Sequence, residues 1–375
     1  MDKKKKTRVE LRKNRSKPPR PNSWTRGFQD HGYVDEATAN DERVRAKGDL
    51  SRYRTIIQDG APSGTDQEMP AVGSDGCQLG RVIKVFGLQS VVEGVDGVTY
   101  RCAVRGLLKS LMTDERSIVT TGDRVWFKAD GNGEGMIERV EPRHGVLTRE
   151  SRGREHVLVS NVDQLVIVVS LVEPDLKPHL IDRYLATATM GQLAPIICLN
   201  KADRVESWRM QSLIGAYSQL GIPALLTSAV TGQGLERLRA MLSDRATVFS
   251  GQSGVGKSSV LNAIQPELSL RVRTVSDVNQ KGRHTTTTAE LIKLTFGGWV
   301  VDTPGVRQLG LWDIIPEEVE GFFPEFRPYV ALCGFPDCTH THEDRCAVKV
   351  AVDRRQIGVR RYHSYIGLFN GTRDE

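Results

Sequence analysis

One glycine-rich loop in the sequence has the residues and the spacing that phosphate binding requires. It follows Ser250 and fits the pattern G-x-x-x-x-G-K-S; its members are Gly251, Gln252, Ser253, Gly254, Val255, Gly256, Lys257 and Ser258. Glycines let backbone amides turn toward phosphates, and the N-terminus of a following helix favours negative charge. We expect Lys257 to reach the β and γ phosphates of a nucleotide and Ser258 to ligate Mg²⁺.

A second motif indicates which base the nucleotide carries. Asn200, Lys201, Ala202 and Asp203 form the pattern N-K-x-D at the end of an apolar segment. The Asp203 carboxylate can accept hydrogen bonds from N1–H and the exocyclic amine of guanine, whereas adenine offers no such donors. The triplet that ends the next apolar segment matches a short loop that closes over the base; it is Thr227, Ser228 and Ala229. The two motifs predict guanine rather than adenine.

A third motif provides for the metal ion and the terminal phosphate. The pattern D-x-P-G starts at Asp302, which we expect to hold Mg²⁺ through water, and ends at Gly305, whose amide would sense the γ-phosphate. The threonine run at residues 285–288 can supply a further Mg²⁺ hydroxyl. Thr286 is the predicted ligand, and Thr285 and Thr287 are the alternatives.

The group that orients the attacking water has to lie outside this third motif. Val306 follows Gly305, where many nucleotide hydrolases carry a glutamine that orients water. Valine cannot do this, and His284, in the loop that also carries Thr286, is the nearest side chain with suitable chemistry. We predict that His284 is catalytic; the alternative is an exposed loop histidine with no role in the reaction.

Four residues near the end of the sequence have the spacing of a metal site. Cys333, Cys338, His340 and Cys346 provide three thiolates and one imidazole within 14 residues. This closed set is typical of structural Zn²⁺ and leaves no position for catalysis. His342 is the competing imidazole, and a redox role would gain nothing from a histidine. The remaining cysteines are interpreted as ordinary packed or surface thiols; they are Cys77, Cys102 and Cys198.

The segments that carry the nucleotide motifs alternate between buried strands and amphipathic helices, which predicts a doubly wound sheet of parallel strands. Strands are predicted at residues 163–171, 195–199, 223–227, 247–250 and 298–301, and helices at residues 178–190, 207–220 and 234–242.

The N-K-x-D motif precedes the phosphate loop, whereas ordinary small GTPases have the reverse order, so the domain is circularly permuted. The chain after D-x-P-G is tethered to the element that moves when the γ-phosphate is lost. We hypothesise that the C-terminal module reports nucleotide state; partner release that stays GTP-dependent after a linker is inserted near Trp312 would contradict this.

The segment before this domain has the pattern of a small barrel. Five short strands rich in Val, Ile, Tyr and Phe are predicted at residues 81–86, 89–95, 98–105, 123–128 and 135–141. The Asp96-Gly97 dipeptide between two of them is a strong hairpin signal. This pattern suits an OB-type barrel, a fold that commonly binds oligonucleotides. A barrel used only for protein contacts is the alternative.

Positive charge is concentrated at the start of the sequence. Residues 1–20 contain ten lysines and arginines against two acidic residues, a net charge of +8, while the whole chain carries +6, so the remainder carries −2. Such a run lies readily along polyanions such as nucleic acid; a solvated tail is the alternative. Residues 1–76 are predicted to be a mostly disordered extension and linker. A helix predicted at residues 353–369 presents further arginines, either to RNA phosphate or to solvent; they are Arg354, Arg355, Arg360 and Arg361.

Composition and targeting signals exclude several classes of protein. No segment approaches the ~18 consecutive apolar residues of a membrane-spanning helix, and no apolar stretch of a secretory signal follows the basic start. Three of the six cysteines crowd into one short segment, which fits a reducing compartment with a metal site. We expect a cytoplasmic protein with no membrane partner.

These features together resemble the bacterial ribosome small-subunit-dependent GTPase A family over roughly residues 78–369. The matching motifs are G-Q-S-G-V-G-K-S, N-K-A-D, G-R-H-T-T, D-T-P-G-V and C-x4-C-x-H-x5-C, preceded by the barrel. The resemblance implies a multi-domain chain: an OB-like β-barrel at 77–143, a circularly permuted P-loop α/β GTPase domain at 144–312 and a small, mainly helical zinc-binding domain at 313–375. The histidine of G-R-H-T-T is the family's proposed catalytic residue and matches His284.

The same resemblance implies a function and its partners. It describes a late assembly factor that binds the 30S ribosomal subunit and its 16S rRNA, hydrolyses GTP to GDP faster there, and leaves when maturation is adequate. Structural Zn²⁺, Mg²⁺ with the nucleotide and a monomeric chain are expected. Two alternatives stay open: a nucleotide-gated RNA-binding module that barely hydrolyses GTP, and a GTPase that acts on a protein or a tRNA.

Overall fold

The computed structural model describes residues 5–10, 53–58, 76–87, 89–106, 108, 118–150, 155–268, 289–302 and 316–371. It divides into two compact units, Met1–Arg143 and His144–Glu375. Three predicted site residues, Thr286, His284 and Gly305, lie outside the described residues, as does the side chain of Asp302.

The described residues of the N-terminal extension include a pair of strands that the residue pattern does not predict. Strand β1 (Lys5–Glu10) pairs antiparallel with β2 (Tyr53–Gln58), and Lys5 lies opposite Gln58. Residues 53–57 include tyrosine, threonine and two isoleucines, which favour extended backbone. Within the predicted extension, Lys5–Glu10 and Tyr53–Gln58 are therefore extended strands.

The rest of the first unit is a closed barrel of five strands: β3 (Cys77–Phe86), β4 (Gln89–Gly94), β5 (Thr99–Val104), β6 (Arg124–Ala129) and β7 (Glu134–Val140). Their order is β3-β4-β5-β7-β6, and β6 returns to pair with β3. Only β5 and β7 among these pairs run parallel. The interior is filled by Val82, Val92, Phe127 and Ile137, all fully buried. This arrangement confirms the OB-like barrel.

The second unit contains six adjacent sheet strands in the order β12-β11-β10-β13-β15-β14. The strands are β10 (Gln164–Ser170), β11 (Ala194–Asn200), β12 (Ala224–Leu226), β13 (Ala246–Ser250), β14 (Glu290–Lys293) and β15 (Trp299–Asp302). All neighbours are parallel except β14, which pairs antiparallel with β15. Every residue of β10 and β13 is buried, as expected for strands with both faces covered. The predicted doubly wound fold is confirmed.

Four helices of this unit connect or follow the strands: α1 (Pro178–Met190), α2 (Gln211–Ser218), α3 (Leu235–Leu242) and α4 (Lys257–Ile264). Short 3-10 turns occupy Ala202–Arg204, Ser207–Met210 and Pro266–Leu268. Before the sheet, β8 (Leu147–Glu150) and β9 (Glu155–Val159) form an antiparallel hairpin that the sequence analysis does not anticipate.

The C-terminal module of this unit is mainly helical. It comprises 3-10 turns at Pro316–Phe322 and Pro324–Phe326, then α5 (Arg327–Val330), α6 (Ala347–Asp353) and α7 (Val359–Phe369). The prediction of one helix at 353–369 is wrong at its start. Arg355 has φ +60°, which interrupts the helical backbone between α6 and α7. Phe323, Phe326 and Tyr365 form its aromatic core, and Ala186 of α1 packs into the same cluster.

Within the residues that the structure describes, no helix is both long and apolar enough to cross a membrane.

Candidate guanine-nucleotide site and metal cluster

The phosphate loop lies between β13 and α4, where its sequence predicts it. Gly251, Gly254 and Gly256 have φ values of +145°, +83° and +95°, a region in which side chains are strained. A Cβ on Gly251 would lie 2.0 Å from the carbonyl oxygen of Val168 on β10. Glycine is therefore required here both by conformation and by the close approach of the neighbouring strand.

The loop presents its backbone donors as an anion site requires. In the described part of the chain, no protein group accepts a hydrogen bond from the backbone amides of residues 252–256. The Lys257 Nζ crosses the loop and donates to the carbonyl oxygens of Gly251 at 2.6 Å and Gln252 at 2.7 Å. Unpaired amides, an ammonium group and the N-terminus of α4 together form a site suited to phosphates.

The guanine motif is joined directly to this loop. Asn200 ends β11, and its Nδ2 donates to the carbonyl oxygen of Val255 at 2.9 Å. A Cβ on Gly256 would lie 2.4 Å from the same Nδ2 atom. Lys201 then turns the chain with φ +64°, and Ala202–Arg204 forms a 3-10 turn. Because Asn200 is buried, this hydrogen bond fixes the two motifs to each other.

The T-S-A triplet, formed by Thr227, Ser228 and Ala229, orients the Asp203 carboxylate. Ser228 is fully buried, and its hydroxyl donates to Asp203 Oδ1 while accepting from the amides of Val230 and Thr231. The Ala202 amide donates to the carbonyl oxygen of Thr227 at 3.0 Å. The T-S-A segment, in which Ala229 packs against the sheet core, therefore holds the carboxylate in one orientation.

The D-x-P-G motif begins beside the phosphate loop. Strand β15 pairs with β13, and Val301 lies opposite Val248. The backbone of Asp302, one residue further along β15, is therefore adjacent to the end of β13. Ser250, the last residue of β13, is fully buried. All the predicted motifs that the structure describes thus meet at the carboxyl edge of the parallel strands, where open α/β sheets bind ligands.

The predicted metal ligands converge in the C-terminal module. The donor atoms of Cys333, Cys338, His340 and Cys346 all lie within 4.8 Å of one another. The Nδ1 atom of His340 is 3.6 Å from Cys333 Sγ and 3.4 Å from Cys346 Sγ. His342 is not part of the cluster: its ring is exposed and contacts the Thr341 hydroxyl. This Cys₃His set could hold a metal ion.

A second layer of contacts supports the cluster. Glu320 Oε2 lies 3.0 Å from His340 Nε2, so the carboxylate orients the ring with Nδ1 toward the thiols. Tyr362 and Tyr365 donate to the carbonyl oxygens of His340 and Thr339 at 2.8 and 2.7 Å. Burial raises the pKa of the Cys338 thiol to about 12. A divalent cation would reverse that shift, because metal binding requires the thiolate.

Two features of these sites could not be foreseen from the sequence. Glu320 is separated from His340 by 20 residues and belongs to no recognised motif. The Asn200–Val255 contact joins positions 55 residues apart. Sequence spacing identifies the motifs, whereas their mutual geometry comes from the order of β10, β11 and β13 in the sheet.

The fold and the site define a circularly permuted GTPase with an OB-like barrel and a C-terminal Cys/His metal cluster. The RsgA GTPase family model matches residues 140–312. A small ribosomal subunit biogenesis GTPase RsgA from Pectobacterium carotovorum is 40% identical over 294 residues, covering 77% of this chain and 83% of that protein. One from Moorella thermoacetica is 41% identical over 287 residues, covering 76% and 94%. The chain belongs to the RsgA GTPase family, and it is accordingly a GTP hydrolase.

Solved structures agree with this assignment. YjeQ from Thermotoga maritima has a TM-score of 0.66 at 36% identity, and the match covers 80% of this chain and 100% of that one. YloQ, described as a circularly permuted GTPase, has a TM-score of 0.63 at 31% identity and is covered completely by 81% of this chain. The predicted permutation is confirmed.

Proposed function

We propose that this chain is an assembly GTPase of the small ribosomal subunit. In this proposal it binds the 30S subunit and its 16S rRNA late in maturation, and GTP hydrolysis stimulated by the subunit times its release. The relatives' names support the class of target. The observation that carries the proposal is the hydrogen bond between Asn200 and Val255, because it joins guanine selection to the phosphate loop in one rigid site.

The nucleotide would be held by four motifs: the phosphate loop, N-K-x-D, T-S-A and D-x-P-G. Asp203 accepts from guanine, while Lys201, Ala202 and the T-S-A segment enclose the base. The amides of residues 252–256 and Lys257 contact the phosphates, and Gly305 senses the γ-phosphate. Mg²⁺ neutralises phosphate charge when bound, with Ser258, Thr286 and Asp302 as its protein partners. The loop donors fit this role, because residues 252–256 offer amides with no protein acceptor in the described chain.

Hydrolysis requires a water in line with the terminal phosphate. Val306 has no polar atom to orient it, and we assign this task to His284. An imidazole can accept a proton from water, or orient it, at neutral pH.

The metal of the Cys₃His cluster is proposed to be Zn²⁺ with a structural role. Three thiols and one imidazole form the complete tetrahedral set of structural zinc and leave no open position. The carboxylate of Glu320 on His340 Nε2 supports this assignment, because metal-bound histidines usually donate their other nitrogen to such a group. When bound, the ion cross-links the loops that precede α6.

The remaining contacts are assigned to RNA. The OB-like barrel and the basic run at residues 1–20 are the surfaces proposed to meet 16S rRNA. Action on ribosomal subunits places the protein in the cytoplasm, where we propose that it works as a monomer.

The test measures GTP turnover by the purified chain with and without 30S subunits, with ATP as the control nucleotide and His284→Ala as the variant. We expect strong stimulation by 30S subunits, with GTP only, and its loss in His284→Ala while GTP binding survives. Stimulation that persists in the variant would transfer water positioning to another group. GTP binding with no stimulation by 30S subunits would refute the assembly function and favour a nucleotide-gated module; co-sedimentation with 50S subunits, or with neither, would point to a different target.

A further inference from the structure

The arginines predicted together on the C-terminal helix have different surroundings in the structure. Arg361 is buried and bonded to Asp182 and Glu325. Arg354 is exposed in the turn after α6. Arg360 is also exposed, but it lines a cavity between α7 and α1 of the GTPase domain. The three side chains cannot share one role, and only Arg360 belongs to a concave site.

This cavity, here called the α1–α7 cleft, has a volume of about 400 Å³. Its lining includes His179, Arg183, Arg360, His363, Ser364 and Gly367. His179 and Arg183 are four residues apart on α1, so they share one helix face. The spacing of residues 360, 363, 364 and 367 on α7 likewise gives a single face.

The charge of the cleft has one sign. Two guanidinium groups, two imidazoles and a hydroxyl line it, and no acidic side chain of the described residues does. Asp182, next to Arg183 in sequence, is buried elsewhere, where it accepts from Arg361 at 2.8 Å and Tyr217 at 2.8 Å. The lining of the cleft therefore carries positive charge from two arginines, which suits an anionic ligand.

The floor of the cleft is open at Gly367. A Cβ on this residue would have no heavy atom within 4 Å. Helix propensity does not explain a glycine in the middle of α7, because alanine would be more favourable there by about 1 kcal/mol. The missing side chain leaves room for a group to approach the helix backbone between the basic residues.

We propose that the α1–α7 cleft binds a phosphate group of the RNA backbone, so that one phosphate bridges the GTPase domain and the C-terminal module, which carries the metal cluster. Arginine forks match phosphate oxygens bidentately, and the Ser364 hydroxyl adds a donor. This inference rests on the proposed function, which supplies RNA as the partner. A free phosphate ion has the same chemistry, and an acidic protein segment would be attracted by the same charge; both are outcomes of the test below.

The test measures binding of the labelled full-length chain to 30S subunits at 50 to 200 mM KCl with a non-hydrolysable GTP analogue. Arg360→Glu changes the charge of the cleft, and Arg354→Glu makes the same change at an exposed site outside it. Gly367→Leu fills the cleft without altering any charge, and Gly215→Leu adds the same side chain to α2, where a Cβ also meets nothing within 4 Å.

We expect both cleft variants to weaken binding about fivefold or more and both controls to stay close to wild type. Loss of one phosphate contact makes the negative slope of log affinity against log salt shallower by about 0.7 to 0.9. If Arg360→Glu behaves like Arg354→Glu, or if Gly367→Leu binds like wild type, the cleft assignment is wrong. GTP turnover by the wild-type chain with 30S subunits is measured in a separate experiment. A wrong cleft assignment can therefore be distinguished from a wrong proposed function.

Two further arms distinguish the source of the anion. A photo-crosslinking residue in place of Val359, which is exposed beside Arg360 and outside the cleft lining, is expected to cross-link to 16S rRNA; cross-linking only to a ribosomal protein would overturn the RNA assignment. Calorimetric titration with inorganic phosphate at constant ionic strength tests the free ion. Heat that Arg360→Glu abolishes, together with 30S binding unaffected by either cleft variant, would assign the cleft to free phosphate instead.

Discussion

Arg361 is expected to hold the metal-binding module on the GTPase domain, and its replacement gives a sharp test of that packing. Its guanidinium lies 2.8 Å from Asp182 Oδ1 on α1, and 2.6 and 3.2 Å from the two oxygens of Glu325. Only 9% of the Arg361 side chain and 1% of the Asp182 side chain are exposed. Burial alone would lower the pKa of this guanidinium, but the two carboxylates raise it, so the group is charged.

The free-energy cost of replacing Arg361 depends on the groups that the substitution leaves behind. Arg361→Met keeps most of the apolar contact with Phe323, over which the guanidinium stacks at 4.3 Å. It leaves the buried Asp182 carboxylate with Tyr217 as a remaining donor. Breaking a buried pair in this way costs about 3–5 kcal/mol, because one charge is left uncompensated. At about 1.4 kcal/mol per factor of ten, local opening should become roughly a hundredfold to a few thousandfold more frequent.

The assay is amide hydrogen exchange of the full-length chain, which reports local opening free energies. Amides of α7 should lose protection by this factor in Arg361→Met, while amides of the barrel strands serve as an internal reference. Arg360→Met makes the same change one residue away at an exposed position. Adding Asp182→Asn to Arg361→Met should restore part of the protection, since the uncompensated charge is removed. Equal protection of α7 in Arg361→Met and Arg360→Met would refute the reasoning.

Three further outcomes are expected from the site geometry. Gly256→Ala forces a side chain into φ +95° and against Asn200, which we expect to cost about 1–3 kcal/mol and to weaken GTP binding by about 5- to 150-fold in a fluorescent-nucleotide titration. Glu320→Gln removes the charge that supports His340 and should lower metal affinity about 10- to 100-fold in chelator competition. Asp203→Asn loses acceptors for guanine N1–H and amine, so GTP should bind about a hundredfold more weakly while xanthosine triphosphate, with a carbonyl in place of the amine, gains affinity.

Matched variants make these outcomes decisive. Gly215→Ala adds a methyl group where nothing lies within 4 Å, and unchanged GTP binding is expected there. Glu318→Gln makes the Glu320 change on the same 3-10 turn at an exposed position. Equal chelator sensitivity of the two glutamine variants would remove Glu320 from the metal site, and Asp203→Asn that keeps wild-type preference for GTP would remove Asp203 from base recognition.

Much of the nucleotide site could be predicted because its motifs are local. The phosphate loop needs glycines at fixed positions, and the predicted helix at 178–190 matches α1 because a proline starts it and its apolar face repeats regularly. Strand β14 was not predicted because it has only four residues, too few for a clear alternation of apolar and polar positions. The interruption between α6 and α7 was not predicted for a different reason. The residue pattern of 353–369 is helical throughout, and a single residue in the left-handed conformation, Arg355, interrupts the helix.

The role of Arg361 could not be predicted, because its partner Asp182 is 179 residues away. In the sequence it is one of four arginines in a predicted helix, and nothing nearby shows which acidic residues it pairs with. The same limit applied to Glu320. Helical spacing places Arg361 on the face of Tyr365 and Leu368, four and seven residues further on, but it cannot identify the distant carboxylates with which the guanidinium pairs.

Circular permutation gives the metal-binding module two connections to the GTPase domain, and their strengths decide how nucleotide state reaches it. One is the chain that continues from Asp302; the other is the packing of α7 on α1, secured by Arg361. The loop before α1 accepts a hydrogen bond from Lys201 at the carbonyl oxygen of Glu173, so this second connection leads to the guanine motif. Separating α7 from α1 would return both charges of the Arg361–Asp182 pair to water, so the cost of about 3–5 kcal/mol expected for Arg361→Met exceeds what the pair contributes to this docking. We therefore expect the γ-phosphate signal to reach a partner through the residues that follow Asp302, because they are joined covalently to the motif proposed to sense it, whereas the contact of Lys201 with Glu173 links the loop before α1 to base recognition.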